Sequence, residues 1–321
     1  MTGVRRALPW LALTLLVALP GFAGKFYIDL FAKIMIMAVF AMSLDLLVGF
    51  TGLVSLGHAA FFGLAGYTLV LSAPDKYTAA SLWTSLPLAV AASTLLALAI
   101  GALALRTRGV YFIMVTLAFS QLVYFVFHDT KLGGGSDGAY IYARPKAQLG
   151  PWTPIDLGDG TQFYYVVLAI LVVAFAFLRV LLASRFGHAL SGIRSNEQRM
   201  RALGFDTYAY KLAAFAIAGA LAGVAGYFAA IQFGFVNPEM LSWHESANVL
   251  LMVILGGSGT AFGAIVGAFA FILLEDAFSL ATRHWLLLMG GFVIAAVMLL
   301  PGGLASAGER WRHRATASSD G

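Results

Sequence analysis

The feature that most constrains this chain is a recurrence: apolar runs of membrane-crossing length follow one another from end to end. They occupy 8–23, 28–49, 56–73, 84–105, 110–127, 162–182, 210–233, 246–257, 260–276 and 284–300. A helix that crosses a bilayer perpendicularly needs about 20 such residues, and most of these runs approach that length. The run 246–257 is too short to cross alone as a straight helix, so half of a broken helix or a re-entrant segment is expected there. With 60% hydrophobic and 11% charged residues, against about 25% charged in a soluble domain, there are more apolar side chains than a soluble core of this size buries. The surrounding solvent is therefore lipid. The expected architecture is all-α: a polytopic transmembrane helical bundle of about ten segments, some of them broken or re-entrant. Residues 1–305 form one transmembrane domain in this reading, and 306–321 form a basic tail expected to be disordered. The 35 glycines suit helices packed closely in lipid.

Several function classes drop out. With zero cysteines there are no disulfides and no thiolate metal sites. A phosphate-cradling GxxxxGK[ST] is absent, so the chain does not hydrolyse ATP by a P-loop mechanism. No HxxxH pair and no Ser-His-Asp set in a strand-turn-helix elbow occurs. The chain is thus read as no enzyme, with no catalytic, metal-ligating or cofactor-binding residue assigned. The net charge of +5 is not a nucleic-acid signature, because the basic residues flank the apolar runs.

Those flanking charges set an expected orientation. Arg5 and Arg6 before 8–23 fit either a signal peptide or an uncleaved first span. The span is favoured because further apolar runs follow at once. With an inside N-terminus and ten crossings, the inner loops hold Arg5, Arg6, Arg106, Arg108, Arg179, Arg185, Arg194, Arg199, Arg201, Lys211, Arg310, Arg312 and Arg314, thirteen of the 20 Lys and Arg. The acids there are only Glu197, Asp206, Glu309 and Asp320. The positive-inside rule is met with both termini inside. Reading 246–276 as one crossing would move the Arg310–Arg314 tail outside, so two segments with a turn at Gly256–Gly259 are expected.

The longest charged interruption on the inner side is Ala183–Lys211. Ser195 and Gln198 have the spacing of a capping box, and Gly204 is a natural helix stop. Between them Met200 and Leu203 share a face at i, i+3, ringed by Arg194, Arg199 and Arg201. This describes either a short helix that docks into a groove on a partner or a basic loop held at lipid headgroups. On the other side, 129–161 is the long outer loop, rich in glycine and proline and expected to be turns without regular structure. It either packs over the outer mouth, meets an extracytoplasmic partner, or simply connects.

Polar groups at membrane depth are few. Asp45 lies near the inner end of the second run, and Ser55, Gly57 and His58 lie where the chain re-enters. The three side chains are expected near one another, as a proton relay, a cation site or, the favoured reading, support for broken backbone. Gln121 is mid-span, expected to bond between helices or to line a passage. Asp29 and Lys33 are expected to pair at i, i+4. A weak echo links Gly57–Gly63 to Gly259–Gly263, each after a break in an apolar run.

Five stretches in order carry a resemblance. They are Gly52–Gly63, Arg106–Phe112, Gly134–Gly138, Gly192–Glu197 with Ala202–Gly204, and Leu250–Gly257. With them the chain, from about residue 34 to 301, resembles the permease subunit of branched-chain amino-acid ABC importers, of the LivM type. The resemblance implies an inner-membrane importer for branched-chain or other hydrophobic amino acids, with urea or short-amide transport as the alternative within the family. It implies four kinds of partner: a second homologous permease chain, two cytoplasmic ATP-binding subunits that use the ATP, an extracytoplasmic substrate-binding protein, and membrane lipid. It places an ATPase-coupling helix at Arg194, Ser195, Asn196, Glu197, Arg199, Met200, Leu203 and Gly204. The chain departs from the family pattern at Asp45, where Asn is usual, at Ser191-Gly192, at Gly263-Ala264, and at Asn248, where an acid is frequent. The rival class is an ion-coupled secondary transporter, which would need more intramembrane acids than Asp45 supplies.

Overall fold

The structure, a computed structural model, describes residues 13–73, 78–148, 155–299 and 302–304. Arg5, Arg6 and the tail 306–321 lie outside the described residues. Ten apolar helices are described: α1 (13–18), α2 (Lys25–Val48), α3 (Ala59–Ser72), α4 (Leu82–Ala104), α5 (Val110–Asp129), α6 (Gly160–Ala183), α9 (Thr207–Phe233), α10 (Trp243–Gly256), α11 (Ala261–Ala281) and α12 (Trp285–Leu299). Between α6 and α9 lie two polar helices, α7 (Arg185–Ser195) and α8 (Glu197–Ala202). Six of the described helices are long and apolar enough to cross a membrane. The chain is an all-α polytopic bundle, as its apolar runs require.

Two helices form the centre. In α2, 83% of the most apolar window is buried and in α9 72%, against 28% in α4, α5, α6 and α11, so α2 and α9 are the axis that the others surround. Glycine lets α9 approach its neighbours backbone to backbone. A Cβ at Gly223 would meet Ser93 of α4 at 2.7 Å, and one at Gly226 would overlap the Phe62 carbonyl of α3. Serines lock these approaches: Ser93 donates to the Phe61 carbonyl at 2.9 Å, and Ser85 shares a hydrogen bond with Tyr227 at 2.7 Å.

Both central helices end in a break. After α2, Gly49 leads into an unwound stretch to His58, and the half-length α3 follows. After α9, left-handed Gly234 (φ +64°) leads into a second unwound stretch, and the half-length α10 follows. The two units run in opposite directions, because α2 ends on the face that holds α7 and α8, whereas α9 begins on that face. The start of α3 meets α10 inside the bundle, where the Ala59 N–H donates to the Ser246 hydroxyl at 2.8 Å. The counterpart of the break before α3 is therefore the break before α10, not Gly259–Gly263, which opens α11. The expected turn between the segments of 246–276 is found at residues 257–260.

The loop after α5 is more ordered than its glycines and prolines suggest. Gly133, Gly134 and Gly135 adopt positive φ inside a tight turn, where a Cβ at Gly133 would overlap the Tyr67 ring. β1 (Ala139–Tyr140) then pairs antiparallel with β2 (Phe235–Val236), Ala139 opposite Val236. Arg144 donates to the Leu157 carbonyl at 2.7 Å. The loop thus lies across the end of the bundle opposite α7 and α8, tied to the second break by backbone hydrogen bonds. Pro151 and Pro154 lie outside the described residues.

Candidate functional site

The polar helices α7 and α8 form a bracket against the bundle. In α7 Ala189, Leu190 and Ile193 are buried, an i, i+3/i+4 stripe that seats the helix against α6 and α9. The phenyl ring of Phe186 stacks on Tyr210 at 5.5 Å. Sequence reasoning missed α7, so its reading of the next helix is shifted by one residue. Ser195 is the last residue of α7, and Asn196 is the N-cap of α8, its Oδ1 accepting from the Arg199 N–H at 2.9 Å. Gly204 does stop the helix, at φ +86°. Phe205 N–H returns to the Met200 carbonyl and Gly204 N–H to the Arg201 carbonyl, a Schellman closure.

The expected Met200–Leu203 ridge is split. Met200 turns inward, so that a Cβ at Gly192 would meet its sulfur at 2.8 Å. Leu203 remains 67% exposed, beside the partly exposed Phe205. Glu197 is not a free rim charge either. It pairs with Arg201 at 2.6 Å and Lys211 at 2.7 Å and accepts from the Thr207 hydroxyl at 3.0 Å. Burial raises its pKa, but the hydrogen bonds from Lys211 and Thr207 and the charges of Lys211 and Arg201 outweigh this and hold the carboxyl down at about 2. Glu197 thus staples α8 to the start of α9.

Arg194 reaches from α7 to the first break. Its guanidinium donates to the carbonyl of Gly49, the C-cap of α2, and it also lies against Gly52 and Gly259. One turn back on α2, Asp45 is buried and its Oδ1 accepts the Gly259 N–H at 2.8 Å. No side chain fits at Gly49, where a Cβ would overlap both Asp45 and the Gly259 backbone. Five residues from three parts of the chain therefore meet: the end of α2 with the break after it, the α10–α11 turn and α7. Gly49, Phe50, Ser191, Arg194, Ser195 and Gly259 line a cavity of about 380 Å³ at this junction.

Asp45, Ser55 and His58 do not form a cluster. Residues two apart on a helix point about 200° apart, so Ser43 faces His58 while Asp45 faces Gly259. Ser43 Oγ lies 2.6 Å from the Phe40 carbonyl and 2.8 Å from His58 Nε2. The single hydroxyl proton goes to the carbonyl, which makes Nε2–H the donor and leaves Nδ1 bare. The imidazole is stacked on Phe40. Ser55 accepts from the Gly57 N–H at 3.3 Å, and Gly57 packs on the Thr116 carbonyl. Asp45 thus accepts from the backbone of the α10–α11 turn, and Ser55 from the backbone of the first break. Gln121 makes no interhelical bond through its amide nitrogen, which is buried without a partner. Its neighbour Ser120 makes one, to the Leu241 carbonyl at 2.9 Å. Asp29 and Lys33 do not pair; Lys33 lines a cavity with three glutamates instead. No cluster of three or more metal-ligating side chains occurs among the described residues.

Two oppositely directed units, each with a broken helix whose half-length partner starts inside the bundle, make the architecture of a membrane transport protein. The model of a family described as "Branched-chain amino acid transport system / permease component" matches residues 8–300, and the chain belongs to that family. It is similar to the high-affinity branched-chain amino acid transport system permease proteins LivM of Salmonella typhimurium and of Escherichia coli. Each is 31% identical over 311 residues, covering 91% of this chain and 73% of the relative. It is also similar to the autoinducer 2 import system permease protein LsrC of Escherichia coli, 26% identical over 321 residues, covering 94% of this chain and 87% of the relative. No solved structure matches.

Proposed function

We propose that the chain is the membrane-spanning subunit of an ATP-driven importer of branched-chain or other hydrophobic amino acids. It works beside a second homologous permease chain, two cytoplasmic ATP-binding subunits and an extracytoplasmic binding protein, in a bacterial inner membrane with both termini cytoplasmic. The α7–α8 bracket belongs on the cytoplasmic side in this reading, since Arg185, Arg194, Arg199 and Arg201 sit there with Arg106 and Arg108 of the α4–α5 connection. Residues 183–211 dock an ATPase, with Leu203 and Phe205 as the exposed apolar knob and Arg199 at its edge.

The observation that carries this reading is the reach of Arg194 from α7 to the Gly49 carbonyl. A rigid-body shift of the bracket, driven by closure of the ATPases, is passed through that contact to the hinge where α2 ends and to the α10–α11 turn. The experiment is uptake by the reconstituted complex from a panel of leucine, isoleucine, valine, urea, acetamide and autoinducer 2. ATP-dependent uptake of the aliphatic amino acids is expected. Uptake of urea or autoinducer 2 alone, or amino-acid uptake without ATPases, overturns the reading.

A further inference from the structure

Away from the Arg194 junction, a cavity of about 550 Å³ lies between α2, the start of α3, the second break, α10 and α11. That is within the range of roughly 300–1,000 Å³ typical of small-molecule sites. Its polar part holds Lys33, Glu239, Glu245 and Glu275. Lys33, Glu245 and Glu275 come from three different membrane-depth helices. Charges at that depth are costly and face an interior path or a cavity rather than lipid. Three carboxylates face one ammonium, so the cavity lacks positive charge. Its deeper part is apolar, formed by Met37, Phe62, Met252 and Ile272.

The start of α10 adds a further element. Ser242, its N-cap, makes no side-chain capping bond, and Ser242, His244 and Glu245 all line the cavity. Free first-turn N–H groups of a 14-residue helix beside Lys33 suit a carboxylate. The surplus glutamates suit an ammonium, and the apolar wall suits an aliphatic side chain.

We propose that this cavity binds an aliphatic α-amino acid in transit, the ammonium among Glu239, Glu245 and Glu275, the carboxylate at Lys33 and the start of α10, and the side chain against Met37, Phe62, Met252 and Ile272. This rests on the amino-acid reading above. It adds that a substrate site lies within this single chain.

The chain has no cysteine, so Asn248→Cys places one thiol on the cavity wall. In the full complex in nanodiscs, the rate of maleimide labelling reports occupancy. Leucine is expected to slow labelling several-fold, while leucinol, which lacks the carboxylate, and 4-methylpentanoate, which lacks the ammonium, leave it unchanged at the same concentration. Adding Glu275→Gln, or separately Lys33→Met in case the first variant misfolds, is expected to raise the leucine concentration for half-protection by about tenfold or more, as for a lost charged hydrogen bond. If leucine leaves labelling unchanged while the wild-type complex imports it, the cavity proposal is overturned and the amino-acid reading stands. If the complex imports no amino acid, that reading fails and this proposal with it. Slower labelling caused by phosphatidylethanolamine and not by leucine assigns the cavity to a lipid headgroup and also overturns it.

Discussion

The guanidinium of Arg194 donates to the main-chain carbonyl of Gly49, joining a polar helix outside the bundle to the C-terminus of its most buried helix. The last carbonyls of a helix have no partner within it, and here a side chain from residue 194 supplies one. Arg194→Ala leaves α7 seated through Ala189, Leu190 and Ile193 but cuts the link. The expected result is a complex that inserts and binds ATP normally while uptake per ATP hydrolysed falls about tenfold or more, for a charged bond worth about 1.5–3 kcal/mol. Uptake and hydrolysis measured on the same proteoliposomes check this; an unchanged ratio rejects the link.

Asp45 uses one carboxylate oxygen to accept the Gly259 N–H, and Oδ2 is buried without a hydrogen-bond partner. An asparagine keeps the accepting oxygen and removes the charge. Asp45→Asn is therefore expected to fold and transport close to wild type. Asp45→Ala, which strands the Gly259 N–H, is expected to cost about 1–3 kcal/mol. Thermal unfolding in one detergent ranks the two variants. A proton-relay role for Asp45 predicts instead that both variants are inactive in transport, the asparagine variant included.

How much of this was legible in the sequence varied with range. The apolar runs located the ten apolar helices, because length and lipid solvation act locally. The short run at 246–257 correctly marked a half-length helix. The α7 helix was missed because its stripe is three residues set among Arg185, His188 and Arg194, too few to show against the charge, and that miss shifted the cap from Asn196 to Ser195. The pairing of His58 with Ser43 crosses a break, and no local period encodes it. The cavity glutamates left a signal that was passed over. Glu275 stands inside the apolar run 260–276, where a charge has a cost and so marks an interior or cavity-facing position.

The α10–α11 hairpin and the α9 crossings depend on glycine for space rather than flexibility. A Cβ at Gly267 would overlap the Met252 carbonyl, and one at Gly226 the Phe62 carbonyl. Backbone cannot yield as a side-chain tip does, so the helices must separate. Gly226→Ala and Gly267→Ala are each expected to destabilise by about 1–3 kcal/mol, the usual cost of overpacking. Gly290→Ala, where nothing lies within 4 Å of a new Cβ, is the control expected to be neutral. Yield and melting temperature of the three variants decide the matter, and equal values would show that the crossings are not tight.

Glu197 gives the α8 staple a defined pH response. Its carboxyl is held at about 2 in the fold against an ordinary 4.5. A lowered folded-state pKa contributes stability that is fully present above the unfolded value and lost as pH falls through the folded one. The staple is thus intact at pH 6 and above and weakens as pH drops from about 4.5 towards about 2. Protonation removes the charge that Lys211 and Arg201 face and leaves Lys211, near the start of α9, without its counter-ion. Amide protection factors in α8, corrected for intrinsic exchange, are expected to fall over that window. In Glu197→Gln they are expected to be low already at pH 6 and flat with acidification. Constant protection in the wild type between pH 6 and pH 3 would instead mean that α8 is held by its Asn196 cap and Gly204 closure alone.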